Sequence, residues 1–241
     1  MLKSIFKTSL FVWTIFTLIP CSAIAQQNGN PVIVVGEMKN VMRKGQLHGN
    51  IYLDTISRKD NLYGLGPVED LAGEILIIGG RSYKSSVLSD TEMHVEETYD
   101  IKAPFFGYAN ISDWKELTLP DSIQSLEQLE IYLDKTTKLS ARPFMFKLSG
   151  IVEYASIHIV NLPKGTKVNS PEEAHKGLVS YTINNEASDI IGFFSTDHKT
   201  IFTHHDTWLH MHLITADRQK MGHLDEGKFS KSSMKLYLPV E

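Results

Sequence analysis

Cysteine is almost absent. The 241-residue sequence has one, Cys21, close to the N-terminus. A body without thiols has no disulfide framework and no thiolate zinc site, so any metal must be held by histidines and carboxylates. Positive charge is also in short supply. Lys and Arg number 24 against 28 Asp and Glu, a formal net charge of −4. No basic stripe stands out, which argues against a nucleic-acid binder. There is no internal repeat, no low-complexity stretch and no long linker, and 16 glycines and nine prolines are ordinary usage. The chain is long enough to bury a sizeable core as one large domain or two small, closely packed lobes.

The first 25 residues differ from the rest. Lys3 and Lys7 form a positive start, Leu10 to Ile19 is an almost unbroken apolar run, and Ser22-Ala23-Ile24-Ala25 supplies a small-x-small cleavage pattern. The run falls short of the roughly 20 residues that span a bilayer, so no stable membrane span is expected. The expectation is an exported protein, periplasmic or secreted, with residues 1–25 as signal peptide and a mature start at Gln26. Loss of Lys3 and Lys7 leaves 22 basic against 28 acidic side chains, a formal charge of −6. A lipoprotein anchored through Cys21 is the less favoured alternative, because Pro20 directly before the cysteine fits that signal badly.

Beyond residue 25 the pattern is rich in strands. Short β signals lie at Val32 to Gly36, Ala103 to Asn110, Val179 to Ile183, Asp189 to Ser195, Thr207 to Thr215 and Met234 to Leu238. Glu74 to Ile78, Gly79-Gly80 and Arg81 onward read as a strand, a tight turn and a second strand. Pro143 to Ile159 is one long β segment or a hairpin around Ser149-Gly150. Helical signals are few. They cover Met38 to Gly45, with Asn50 to Leu53 able to continue it, Ser122 to Lys135, and a turn at Pro171 to Lys176 opened by Ser170. Leu62 to Pro67, with two glycines and a proline, reads as a turn or irregular loop. Helices and strands do not alternate regularly, so the expected class is α+β with mixed or antiparallel sheets.

One strand carries chemistry. In Trp208-Leu209-His210-Met211-His212-Leu213-Ile214, residues two apart share a face, so His210 and His212 project together. Two such imidazoles can share one ion at about 2.0–2.1 Å per bond. His223 lies eleven residues past His212, after a polar stretch ending in Gly222 that can loop back to the same face. Three neutral imidazoles with open positions match a catalytic zinc arrangement. Among ten histidines chance pairs are common. His204-His205 reads as part of a loop, while His48, His94, His175 and His198 stand alone in surface or hydrogen-bonded roles.

The segment from His210 to Asp225, HMHLITADRQKMGHLD, resembles the histidine motif of the alpha-acetolactate decarboxylases in both histidine spacings, in Asp217-Arg218 and in Gly222-His223. Gly64-Leu65-Gly66, Leu71-Ala72-Gly73-Glu74-Ile75, Gly80 and Tyr83 are similar to another stretch of that family. So are Ala103-Pro104-Phe105-Phe106, Phe144 to Gly150, and Ile190-Ile191-Gly192-Phe193. The resemblance covers roughly residues 40 to 225, in order. It implies a decarboxylase-like domain over residues 26–241, built as two closely packed β-rich lobes, and a homodimer. It also implies His210, His212 and His223 as ligands of Zn2+, with Glu74 in or beside the metal shell. The implied reaction is a zinc-dependent carboxy-lyase reaction on a small 2-hydroxy-3-oxo acid. In it, 2-acetolactate loses carbon dioxide, zinc stabilises the resulting enediolate, and a protein acid delivers the proton that gives acetoin.

Two departures bear on the substrate. The family carries an active-site arginine shortly after the strand matched by Phe144 to Gly150, and here that position corresponds to His158. Histidine lacks the permanent, bidentate clamp that arginine offers a carboxylate, although it can donate a proton. A histidine on the open face of a strand is the plain alternative. The family also draws another glutamate from beyond the third histidine, whereas here Glu241 stands eighteen residues past His223. The sequence therefore leaves open the same metal site on a different hydroxy-oxo acid, or a metal-binding envelope module without chemistry.

Overall fold

The structure is a computed structural model that describes residues 31–137, 142–201, 203, 207–231 and 233–240. The leader, Cys21, the His204-His205 pair and Glu241 lie outside the described residues. The first half of the chain supplies strands β1 (Ile33–Val35), β2 (Ile51–Tyr52), β3 (Leu62–Pro67), β4 (Glu74–Ile78), β5 (Arg81–Val87), β6 (Met93–Glu97), β7 (Lys102–Ala103) and β8 (Phe106–Asn110). The rest of the chain supplies β9 (Trp114–Thr118), β10 (Phe144–Ile159), β11 (Val179–Phe194), β12 (Leu209–Thr215), β13 (Met221–Phe229) and β14 (Lys235–Pro239). Three helices are described: α1 (Met38–Lys44), α2 (Leu126–Thr136) and α3 (Pro171–Ala174). The expected α+β class with few helices and antiparallel sheets is what the chain adopts.

Two six-stranded sheets run β1-β8-β3-β4-β5-β6 and β11-β12-β13-β10-β14-β9, and every ladder in them is antiparallel. Strands β10 and β11 also pair with each other, so β10, β11, β12 and β13 close into a ring. The two sheets share an apolar seam. Tyr63, Leu65, Leu76 and Ala109 of the first pack against Met145, Ile191, Phe193 and Ile214 of the second. The outer face of the first sheet carries Leu62, Ile75, Ile77 and Phe106 in a separate cluster. Alternation along β4 follows directly: Ile75 and Ile77 face outward to that cluster, and Leu76 faces the second sheet.

Several boundaries depart from the sequence reading, each for a local reason. Leu62 to Pro67 is the fully buried strand β3, not a loop. Its glycines serve close approach: a Cβ on Gly64 would lie 2.8 Å from the Phe106 ring and 2.9 Å from the Gly107 carbonyl, and one on Gly66 would lie 2.5 Å from the Phe105 carbonyl. Gly64→Ala is therefore expected to destabilise the fold by about 1–3 kcal/mol, the usual range for overpacking. An unchanged urea midpoint would show that this account of the strand is wrong. Asn50 to Leu53 does not continue a helix, because Gly45 ends α1 in the left-handed conformation with φ 61°. Helix α2 starts at Leu126, four residues later than expected, where Ser125 and Gln128 form a capping box. Ala103 to Asn110 splits into β7 and β8 around Pro104. Val179 to Phe194 is one strand where two were expected, held extended by its pairing with an equally long, unbroken β10.

Candidate metal centre

Strands β12 and β13 place the three clustered histidines. In β12, Leu209, Met211 and Leu213 enter the core of the second sheet, so His210 and His212 project from the opposite face. The return to β13 is a hairpin tighter than the sequence suggested, with Met221 and Gly222 already in the strand. Directly opposed residues of an antiparallel pair share a face, and His212 pairs with His223. The three rings are mutual neighbours, with centroids 5.3 Å (His210–His212), 5.0 Å (His210–His223) and 5.4 Å (His212–His223) apart. All three are buried, and one ring nitrogen from each lies within 4.8 Å of the others.

Glu74 arrives from the other sheet. It shares the inward face of β4 with Leu76, and the preceding Gly73 permits the approach. At φ 149°, a Cβ there would sit 2.2 Å from the Ser85 carbonyl. The Glu74 side chain is almost fully buried; Val160 N–H donates to its Oε1 at 3.2 Å, and its Oε2 lies 3.6 Å from His212 Nε2. Burial pushes its carboxyl well above the ordinary carboxylate range. The Val160 hydrogen bond opposes this shift, and the negative charge of Asp225 adds to it. The donor set, three clustered imidazoles with a buried carboxylate beside one of them, fits a divalent cation of the zinc type.

His158 completes the group from β10. It pairs with His223 across the β10–β13 ladder and stacks on its ring at 4.6 Å with an interplanar angle of 28°. The open-face alternative does not describe it, because His158 is buried. Its Nδ1 lies 2.7 Å and 2.8 Å from the two oxygens of Asp225. His175, just past α3, meets the His158 ring edge-on at 6.3 Å. Burial lowers the His175 imidazole, as does the neighbouring His158, while Asp225 and Glu172 raise it. A narrow cavity brings Glu74, His158, His175, His210 and His223 together, with Met38 and Phe105 on its apolar side. Asp225 borders a larger cleft on the α2 side, beside Glu127 and Glu130.

The sequence reading thus named Glu74, His158, His210, His212 and His223, and the fold gathers all five. It missed His175, which had no motif around it, and Asp225, which sat inside the quoted motif without a role. Of the other single histidines, His198 Nδ1 lies 2.7 Å from Ser195 Oγ, His48 faces solvent near Asp70, and His94 lies exposed on β6. No helix among the described residues is long and apolar enough to cross a membrane.

Comparison with known proteins points the same way. Residues 35–238 match the family model described as alpha-acetolactate decarboxylase. The alpha-acetolactate decarboxylase of Brevibacillus brevis is 24% identical over 198 residues, which is 82% of this chain and 66% of that protein's length. Among solved structures, acetolactate decarboxylase from Bacillus subtilis subspecies spizizenii superposes with a TM-score of 0.70 at 17% identity, covering 87% of this chain and 86% of that one. The alpha-acetolactate decarboxylase of Bacillus subtilis strain 168 gives a TM-score of 0.70 at 18% identity over the same shares. At these identities the structures speak for the fold.

Proposed function

This chain belongs to the alpha-acetolactate decarboxylase family, and from that premise we propose a zinc-dependent carboxy-lyase, acting after export, that converts 2-acetolactate to acetoin and carbon dioxide. The observation that carries the proposal is the buried cluster of His210, His212 and His223 with Glu74 at 3.6 Å from His212. Those imidazoles would hold the ion, with Glu74 in or beside its shell. The bound cation supplies Lewis-acid charge for the oxygen on which negative charge develops.

The protein groups have separate tasks. Decarboxylation breaks the bond between the carboxylate carbon and its neighbour, the electron pair stays with the neighbour as carbon dioxide leaves, and one proton must reach that neighbouring carbon to give acetoin. Glu74 has Oε1 tied to Val160, which leaves Oε2 to hold or release a proton in the buried cavity. His158 stands where it can bind the substrate carboxylate or deliver that proton. Phe105 and Met38 face the cavity as apolar walls for the methyl groups and exclude water.

Incubating the mature protein and zinc with racemic acetolactate, together with elemental analysis, tests this reading. Acetoin above a His210→Ala control is expected. Metal near one ion per chain with no turnover on any hydroxy-oxo acid would leave a binding module and end the lyase assignment. The metal analysis also distinguishes zinc from nickel or iron(II), which the same donors accept.

A second reading keeps the metal and changes the acid. What favours it is His158, a single-point donor where the resemblance implies an arginine fork. A panel of small 2-hydroxy-3-oxo acids separates the two, since faster turnover of another acid would displace acetolactate as substrate. Export is supported by the leader pattern of residues 1–25. The intact mass of protein recovered outside the cytoplasm should correspond to a chain beginning at Gln26, and a lipid on Cys21 would overturn simple secretion.

A further inference from the structure

The ladder between β10 and β13 is in register at His158↔His223 and Ile157↔Leu224, then resumes at Ser156↔Glu226. Asp225 is the extra residue, a β-bulge two residues past His223. A bulge adds a residue without a ladder partner and re-aims its side chain, which is how a strand can bring two nearby side chains to one target. Here His223 stacks on the His158 ring and Asp225 meets its edge. Both carboxylate oxygens lie within 2.8 Å of Nδ1, and no other hydrogen bond to that nitrogen competes among the described residues. The side chain of His158 is 9% exposed while that of Asp225 is 35% exposed, so the carboxylate stays hydrated on its outer side.

We infer that Asp225 is a positioning residue acting through His158. By accepting from Nδ1–H it fixes the ring's rotation and, in the neutral ring, the Nδ1–H tautomer, so that Nε2 is the basic nitrogen available to the substrate. Only after Nε2 has taken up a proton, with Asp225 still accepting from Nδ1–H, can it donate to the substrate carboxylate or to the reacting carbon. The bond made by one imidazole nitrogen decides what the other can do. With the ring clamped by His223 on its face and Asp225 on its edge, one nitrogen at a fixed place replaces the reach of a longer side chain. The inference rests on the proposed reaction only for what Nε2 does; the tautomer itself belongs to the fold.

The test is made on the zinc-loaded mature protein labelled with 15N in its histidines. At a pH where the ring is neutral, long-range proton–nitrogen correlations report which His158 nitrogen carries the proton, assigned by loss of the signals in His158→Asn. The parent and Asp225→Glu should both show Nδ1–H. Asp225→Asn should move the population toward Nε2–H, keep about one metal ion per chain, and lower kcat roughly 10–100-fold, the scale seen for residues that orient a site from behind. An unchanged tautomer in Asp225→Asn overturns the inference, and so does a loss of activity that follows loss of metal or of native circular dichroism. Should the parent make no acetoin, the proposed reaction fails while the tautomer measurement still decides the role of Asp225.

Discussion

Substituting His210 by alanine is expected to take bound zinc from about one ion per chain to background and to lower kcat/KM for acetolactate by roughly 1,000-fold or more. The magnitude follows from the site. Metal assistance is worth several kcal/mol of charge stabilisation, and each factor of ten in rate corresponds to about 1.36 kcal/mol. Removing one of three imidazoles leaves His212 and His223, which pair across a ladder, with Glu74 beside them, and two imidazoles would hold the ion far less tightly than three. His210 is the informative position because its loss removes a ligand without opening the central ladder pair. Its ring also touches Phe105 at 6.1 Å, so a small packing loss accompanies the lost ligand. Thermal unfolding separates the two effects. Zinc should raise the parent's midpoint, because an ion that binds only the folded state stabilises it by mass action. The variant should lose that rise while keeping a cooperative transition. A variant that still binds one ion per chain and still turns over would show that these three histidines are not the metal site.

The readability of this site differs from residue to residue. His210 and His212 are legible because strand parity needs no knowledge of the partner strand. His223 is legible as a ligand, but the hairpin that delivers it is tighter than its polar sequence suggests. Glu74 shows through its glycine and through the family resemblance. Asp225 does not, because a bulge is a relation between two strands and neither strand's sequence contains it. Strand β3 was hidden for a related reason: Gly64 and Gly66 make room for aromatic and backbone neighbours that are distant in sequence, yet locally they look like turn formers. The edge strands β6 and β9 were hidden because each exposes charged side chains, which suits a sheet edge and blurs the apolar alternation.

Replacing Glu74 with glutamine is expected to produce effects of opposite sign on stability and on catalysis. The buried carboxyl is raised in the folded protein, chiefly by desolvation, so the unfolded state releases that proton more readily than the folded one. In the metal-free protein its contribution to stability is therefore present at low pH and is lost as pH rises through the raised value. Glutamine has no such proton to lose, and its side-chain oxygen can still accept from Val160 N–H. The metal-free variant should then be more stable than the metal-free parent at neutral pH, on the order of 1 kcal/mol or more, the scale of an uncompensated buried polar group. The two should converge as pH falls below the ordinary carboxylate range. Zinc should stabilise the parent more than the variant, because it gains the Glu74 carboxylate only in the parent. Acetoin formation should fall roughly 100-fold or more, since glutamine can neither hold nor release a proton at that oxygen. Parallel denaturation curves with and without zinc, taken at acid and neutral pH, check the sign at each step. A metal-free variant less stable than its parent at neutral pH, with turnover intact, would remove Glu74 from both the metal shell and the chemistry.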